Sequence, residues 1–267
     1  MENQLSQQTA LPRIAGNNNT FFLKIIAILC MLVDHTAVVF FNGAAEMRLI
    51  GRIAFPLFAW CLVVGAEYTR SKRRYALWLL IVGIISQPCY MLGLNHKWHE
   101  LNIFATLLLG LLAISGIRER KYYSHIWVPV ICLLLPCMIK MDYGWEGVLL
   151  ILCLHAARKQ KGALAAVMIC FCLYWGQGTY TVFRLFGMKI PTYSSFLPHA
   201  SKLISSITRI QFGAILSLPL MLIPMRYSFR LPKWLSYCIY PAHLLILGII
   251  RHWEQITFFI KGFFQSF

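Results

Sequence analysis

Charge is what this chain has least of: Asp, Glu, Lys and Arg make up 13% of its 267 residues, and only nine of them are acidic. Soluble domains carry about twice that share. With 59% hydrophobic residues and a mean hydropathy of +0.64, the shortage excludes an ordinary globular protein in water. Zinc-like spacing is also missing from the nine cysteines. Cys30, Cys61, Cys132, Cys153 and Cys238 fall inside apolar runs and read as small core residues, so no metal is expected. No basic stripe or recognition motif accompanies the formal net charge of +16, which argues against nucleic acid as a partner. Internal repeats are absent too, which weakens a reading as an inverted-repeat transporter. Neither a signal peptide nor a convincing small-residue cleavage site frames the first apolar run, which is therefore expected to stay as a helix.

What is present is a series of apolar runs near the length that an α-helix needs to cross roughly 30 Å of hydrocarbon. Stretches such as "LLIVGII" and "ILSLPLMLI" are apolar on every face rather than alternating, which favours helices over a barrel. The expected fold is all-α, a polytopic integral membrane helix bundle of about nine transmembrane helices, with a range of eight to ten. Spans are expected near 22–41, 51–69, 75–94, 101–117, 125–140, 145–157, 162–176, 209–224 and 234–250, with a kinked or re-entrant piece around "WGQGTY". Residues 1–21, with Pro12 and "GNNN", read as a mobile cytosolic arm, 22–250 as the transmembrane domain, and the aromatic 251–267 as an interfacial segment. The connection 177–208 is long enough to cover an external mouth.

Basic residues set the expected orientation. Arg13, Lys24, "RSKRR" (70–74), "RERK" (118–121), "RKQK" (158–161), Arg226, Arg230 and Lys233 all fall on one side of a nine-span arrangement, whereas Arg48, Arg52, Lys97 and Lys140 are scattered singly on the other. By the positive-inside rule the amino terminus is cytoplasmic and the carboxyl terminus extracytoplasmic, with anionic lipid as a partner of the basic loops.

Against that background "MLVDHTAVVF" is anomalous, because an ionisable group near the bilayer midplane costs about 2.5 to 3.5 kcal/mol and must face protein or a wet cavity. Neighbouring helical residues point about 100° apart, so Asp34 and His35 cannot pair with each other. Each needs a partner, and Arg52 and His243 are the candidates. Histidine takes a proton near neutral pH, which suits a general base, and aspartate can orient or charge-stabilise one. In "RLIGRIAFPLFAWCLVVGAEYTR" small residues allow close helix approach, and Pro56 is expected to free a carbonyl inside the span. Gln87, Asn102 and Thr106 need polar partners if buried. Asp142 and Glu146 are expected at a solvated interface, and His243 just after a helix break at Tyr240 and Pro241. Arg70, Lys72, Arg73 and Arg74 read as a topology anchor or a clamp for a cytosolic phosphate group.

Taken in order, "LKIIAILCMLVDHT", "GRIAFPLFAWCLVVGAEYTRSKRRY", "NIFATLLLGLL", "DYGWEGVLL" and "YPAHLLIL" resemble the TraX family, named for the conjugation protein that acetylates the amino terminus of F-type pilin. The likeness runs from about 22 to 250. It implies an integral membrane acyltransferase that uses acetyl-CoA from the cytosol. In similar transmembrane acyltransferases a histidine in an early helix is the base, a position that His35 matches. Asp34 and Arg52 would then orient groups or stabilise charge, with His243 as a second candidate. Coenzyme A phosphates would meet Arg70, Lys72, Arg73 or Arg74, and the acceptor would be an amine or hydroxyl of a peptide, lipid or glycan. Two rivals stand beside this reading: a proton-coupled transporter or flippase that relays protons through Asp34, His35 and His243, and a structural membrane subunit.

Overall fold

The computed structural model describes residues 14–177, 179, 181–182, 184–189, 206–225 and 233–253, the side chains of 184, 189 and 233–236 excepted. Arg13, Arg226, Arg230, residues 254–267 and most of the 177–208 connection lie outside the described residues.

Helices dominate. In chain order they are α1 Thr20–Phe40, α2 Ala45–Gly51, α3 Ala54–Tyr68, α4 Lys72–Leu94, α5 Ile103–Glu119, α6 Ser124–Met138, α7 Gly144–Ala157 and α8 Lys161–Gly176. A 3-10 stretch, Ile210–Ser217, leads into α9, Leu218–Leu222, and α10 covers Lys233–Arg251. Thr20–Phe40, Ala45–Tyr68 and Lys72–Leu94 are long and apolar enough to cross a membrane. The other apolar helices are shorter, and the 14 residues of α7 reach about 21 Å at 1.5 Å per residue. A two-residue antiparallel hairpin, β1 Arg184–Leu185 with β2 Met188–Lys189, turns at Phe186 and Gly187, both at positive φ.

Local signals explain the boundaries. Asn19 caps α1 by accepting from the Phe22 N–H, Ser71 caps α4 through the Arg74 N–H, and Asn102 caps α5 through the Phe104 N–H. Asn42 and Gly43, at φ 48° and 72°, reverse the chain after α1. Arg52 and Ile53 break the α2–α3 run, so Pro56 falls in the first turn of α3. No intrahelical donor is lost there, and the carbonyl expected to be freed in mid-helix is not.

The amino-terminal arm departs from expectation as well. From Ile14 onward it is packed: Asn17 is fully buried, its amide donates to the Leu220 carbonyl, and its own carbonyl accepts from the Trp60 indole at 2.7 Å. Buried backbone has to be paired, and this segment finds its partners in α3 and α9. Nor does α10 break at Tyr240 and Pro241. It continues through the proline, losing one backbone donor while its side chains remain packed against α1 and α4.

The centre of the bundle is α3, apolar on all sides, with Phe55, Leu57 and Trp60 fully buried. Its neighbours are α1, α5 and α7. Close approach at the periphery uses small residues: a Cβ on Gly93 of α4 would lie 2.6 Å from the Leu244 carbonyl oxygen of α10. On the outside, Trp78, Ile84 and Ile85 of α4 and Ile126, Val130 and Leu134 of α6 stay exposed. So large an uncovered apolar surface is what a hydrocarbon solvent accommodates and water does not.

Candidate functional site

One end of the bundle holds a cavity of about 680 Å³. Its walls come from α1 (Asp34, His35), α2 and the following break (Arg48, Arg52), the turns before α5 and α7 (His96, Asp142, Tyr143) and the 3-10 stretch (Gln211).

Asp34 is the electrostatic centre. Arg52 donates from one terminal nitrogen to both carboxylate oxygens at 2.8 and 2.9 Å, and Arg48 donates to Oδ2 at 2.7 Å. The side chains of Asp34 and Arg52 are 10% and 11% exposed, so this pair is shielded from water and much less screened than a surface pair. All three Arg52 side-chain nitrogens are engaged, since it also reaches the Gln211 side-chain oxygen at 3.1 Å and the Arg48 carbonyl at 3.3 Å. Arg48, four residues earlier on the same helix face, is 23% exposed toward the cavity and gives only one N–H to Asp34. Two guanidinium groups around one carboxylate leave this cluster with a net positive charge. Gly51 makes this geometry possible, because a Cβ there would overlap the Asp34 carboxylate.

His35 turns to a different partner. Its Nδ1 lies 2.7 Å from His243 Nε2, and the two rings are nearly parallel with centroids 5.0 Å apart. His243 Nδ1 is 2.9 Å from the carbonyl oxygen of Ile239, an atom that only accepts, so Nδ1 carries the proton and donates. In the neutral pair His243 Nε2 is therefore an acceptor, His35 donates from Nδ1, and His35 Nε2 keeps its lone pair. Tyr240 stands edge-on to both rings.

A second polar layer surrounds the mouth. The Lys140 ammonium, the His96 ring and the Lys97 N–H hold the Glu100 carboxyl down at about 2. His96 in turn stacks on Tyr90 at 4.4 Å. Asp142, expected at a solvated interface, is instead part of the cavity wall, where burial pushes its carboxyl up to about 6 against the opposing pull of Arg52. Burial also raises the Tyr143 phenol, which stacks on Phe55 at 3.8 Å and holds a left-handed backbone at φ 61°. The expected polar partners of buried side chains are found: Asn102 donates to Gln87 and to the Gly83 carbonyl, and Thr106 donates to the Asp142 carbonyl.

Asp34, His35 and Arg52 thus line one cavity, and His243 stands behind His35, joined to it by the imidazole hydrogen bond. Arg70, Lys72, Arg73 and Arg74 do not join them. They lie beyond the far end of α3, whose 15 residues span about 22 Å. Arg70, Arg73 and Arg74 are exposed, Lys72 is half-buried, and Glu67 nearby accepts from Arg118 and Arg158 at 3.2 Å each. Sequence reasoning missed Arg48 as a partner of Asp34, although the spacing in "RLIGR" puts both arginines on one helical face. It also missed Gln211 and His96. Gln211 is 3% exposed, and its amide nitrogen has no partner among the described residues. Among these residues no group of His, Cys, Asp or Glu is arranged to hold a metal ion.

Apolar helices of membrane-crossing length wrapped around a buried ionic and imidazole cluster define a helical membrane protein with a polar cavity. Its sequence matches the family described as TraX protein over residues 20–251, and the chain belongs to that family. Among curated relatives it is 29% identical over 166 residues to a probable fimbrial assembly protein, FimC of serogroup H1, from Dichelobacter nodosus, covering 57% of this chain and 68% of that one. An uncharacterized protein of Rickettsia prowazekii (strain Madrid E) is 27% identical over 252 residues, 89% of this chain and 94% of its own length. Protein TraX of Escherichia coli is 28% identical over 132 residues, 48% of this chain and 52% of its own. No solved structure matches.

Proposed function

We propose that this protein is an integral membrane acyltransferase that moves an acetyl group from cytosolic acetyl-CoA to an amine or hydroxyl presented at the cavity. The observation that carries the reading is the His35–His243 pair, whose hydrogen bonds leave His35 Nε2 as an unprotonated base in a cavity wall that also holds Arg48. His35 takes the proton of the acceptor as its nitrogen or oxygen bonds to the acyl carbon. The carbon–sulfur bond breaks, and the imidazolium returns the proton to the departing thiolate. Arg48, with N–H groups to spare, stabilises negative charge on the carbonyl oxygen, while Asp34 and Arg52 fix its position. His243 is a positioning residue that sets the tautomer of His35.

In this reading the chain crosses the membrane several times. The end that carries Arg70, Lys72, Arg73 and Arg74 is cytoplasmic, as is the amino terminus, and receives the phosphates of coenzyme A. The cavity end and the carboxyl terminus are extracytoplasmic. A relative named for fimbrial assembly favours a peptide amine as acceptor over a lipid or glycan.

The test is transfer from labelled acetyl-CoA in membranes that carry the wild-type protein or His35→Ala, scored in peptide, lipid and glycan fractions. His35-dependent label in one fraction is expected and names the acceptor. No such label from folded, inserted protein would overturn the reading and leave the histidine pair to a proton-coupled transporter, whose uptake would follow a pH gradient without coenzyme A.

A further inference from the structure

A second space approaches the histidine pair from the opposite end. It is a narrow apolar slot of about 60 Å³ between α1, α3, α4, α5 and α10, beginning at Lys24, Tyr75 and Tyr237 and ending at Phe104 and Tyr240. A single water needs about 10 to 15 Å³ on the same measure, so the slot has room for a thin chain and not for a ring system. Its inner end touches the site already described, since Tyr240 packs edge-on against Phe104 at 5.1 Å and against both His35 and His243. Its outer end lies toward the Arg70–Arg74 run, because Tyr75 directly follows Arg74 in the first turn of α4.

Lys24 is the only charged side chain in the lining and makes no hydrogen bond or ion pair among the described residues. An ammonium at the mouth of an apolar slot calls for an anion or a carbonyl, supplied by something whose remaining length is thin. From Lys24 to His35 is 11 residues of α1, about 16 Å along the helix.

We infer that this slot holds the linear arm of the acyl donor, entered from the basic end, with Lys24 meeting the phosphate-bearing part and the thioester directed toward Tyr240. Donor and acceptor then reach the histidine pair from opposite ends of the bundle, and neither has to cross it. This inference rests on the acyltransfer reading above. The same chemistry, a thin chain capped by phosphate, is offered by a phospholipid. Charge complementarity with the basic end and continuity with the histidine pair favour the donor.

The experiment uses the full chain in nanodiscs of phosphatidylcholine and phosphatidylglycerol, with acetyl-CoA as the probe. Lys24→Gln should raise the Kd for acetyl-CoA about tenfold while kcat is kept, and Lys24→Arg should restore most of it. Cys61→Phe, which fills the slot, should abolish acetyl-CoA binding while the melting temperature stays within a few degrees. Should that variant fail to fold, the two Lys24 variants decide alone. Unchanged acetyl-CoA affinity in Lys24→Gln overturns the inference, and if His35-dependent label still appears the acyltransfer reading survives it. A phospholipid seen by native mass spectrometry in the wild type and lost in Cys61→Phe, with acetyl-CoA affinity intact, also overturns it, because the slot is then a lipid site. Absence of transfer by the wild-type protein overturns the acyltransfer reading itself.

Discussion

Both ends of this bundle hold a shielded carboxylate between two arginines, yet they differ in what stands around it. At the cavity end Asp34 is held by two arginines in a site about one-tenth exposed. At the basic end Glu67 is equally shielded and accepts from Arg118 and Arg158 at 3.2 Å, whereas Arg70, Arg73 and Arg74 face outward and neither the cavity nor the imidazole pair adjoins the cluster. Charges that water reaches are screened and contribute roughly 0 to 1 kcal/mol per pair. Charges in a shielded wall cannot be screened, so each depends on its partner and the removal of one is costly. The difference teaches that outward-facing basic residues follow orientation, whereas a shielded ion pair marks a candidate site only where it lines a cavity beside an imidazole pair.

The sharpest way to break this contrast is to remove the shared carboxylate. Asp34→Ala leaves Arg48 and Arg52 buried without their anion and should destabilise the protein by about 3 to 5 kcal/mol, read from thermal or denaturant unfolding in detergent. Gly51→Ala should approach that loss, since its new methyl would overlap Asp34. On activity the largest effect is expected at His35: His35→Ala should lower transfer by about 10²- to 10⁴-fold with the fold retained. His243→Ala should cost less and should also change the pH profile, because His35 loses the acceptor that fixes its tautomer.

Asp142 sharpens the comparison through pH. Its folded carboxyl titrates at about 6, above its ordinary value of 3.8, so the folded protein holds a proton that the unfolded chain releases. The associated stability is fully present below pH 4 and is lost as pH rises through 6, a change on the order of 3 kcal/mol. Asp142→Asn should abolish this slope in unfolding curves measured from pH 4 to 7. The smallest effect belongs to the other end: Arg73→Ala should leave stability within about 0.5 kcal/mol and raise the KM for acetyl-CoA only a few-fold, less so at high salt.

Much of the helical pattern was legible because apolar run length and capping residues are local properties. Asn19, Ser71 and Asn102 each cap the helix that follows. Helical periodicity also showed that Asp34 and His35 had to look in different directions, which named Arg52 and His243 as their candidate partners. Arg48 was legible from its spacing to Arg52 and was passed over because singly placed basic residues read as topology. Gln211, His96 and Asp142 were not legible as wall residues, since they lie 177, 62 and 108 positions from Asp34 and only folding decides which turns meet. The arm from Ile14 to Asn19 looked mobile because its composition is polar, whereas its backbone groups find partners supplied by α3 and α9.

By itself, then, the sequence determined the helices, the solvent they suit and the identity of the scarce ionisable residues, because each depends on composition and on contacts within a few positions. Only the tertiary structure decided that Asp34 takes two arginines, that His35 donates a hydrogen bond to His243, and that a cavity reaches His35 while a slot ends at Tyr240 beside the pair. Those outcomes need helices far apart in the chain to pack at one height, and no local rule contains that information.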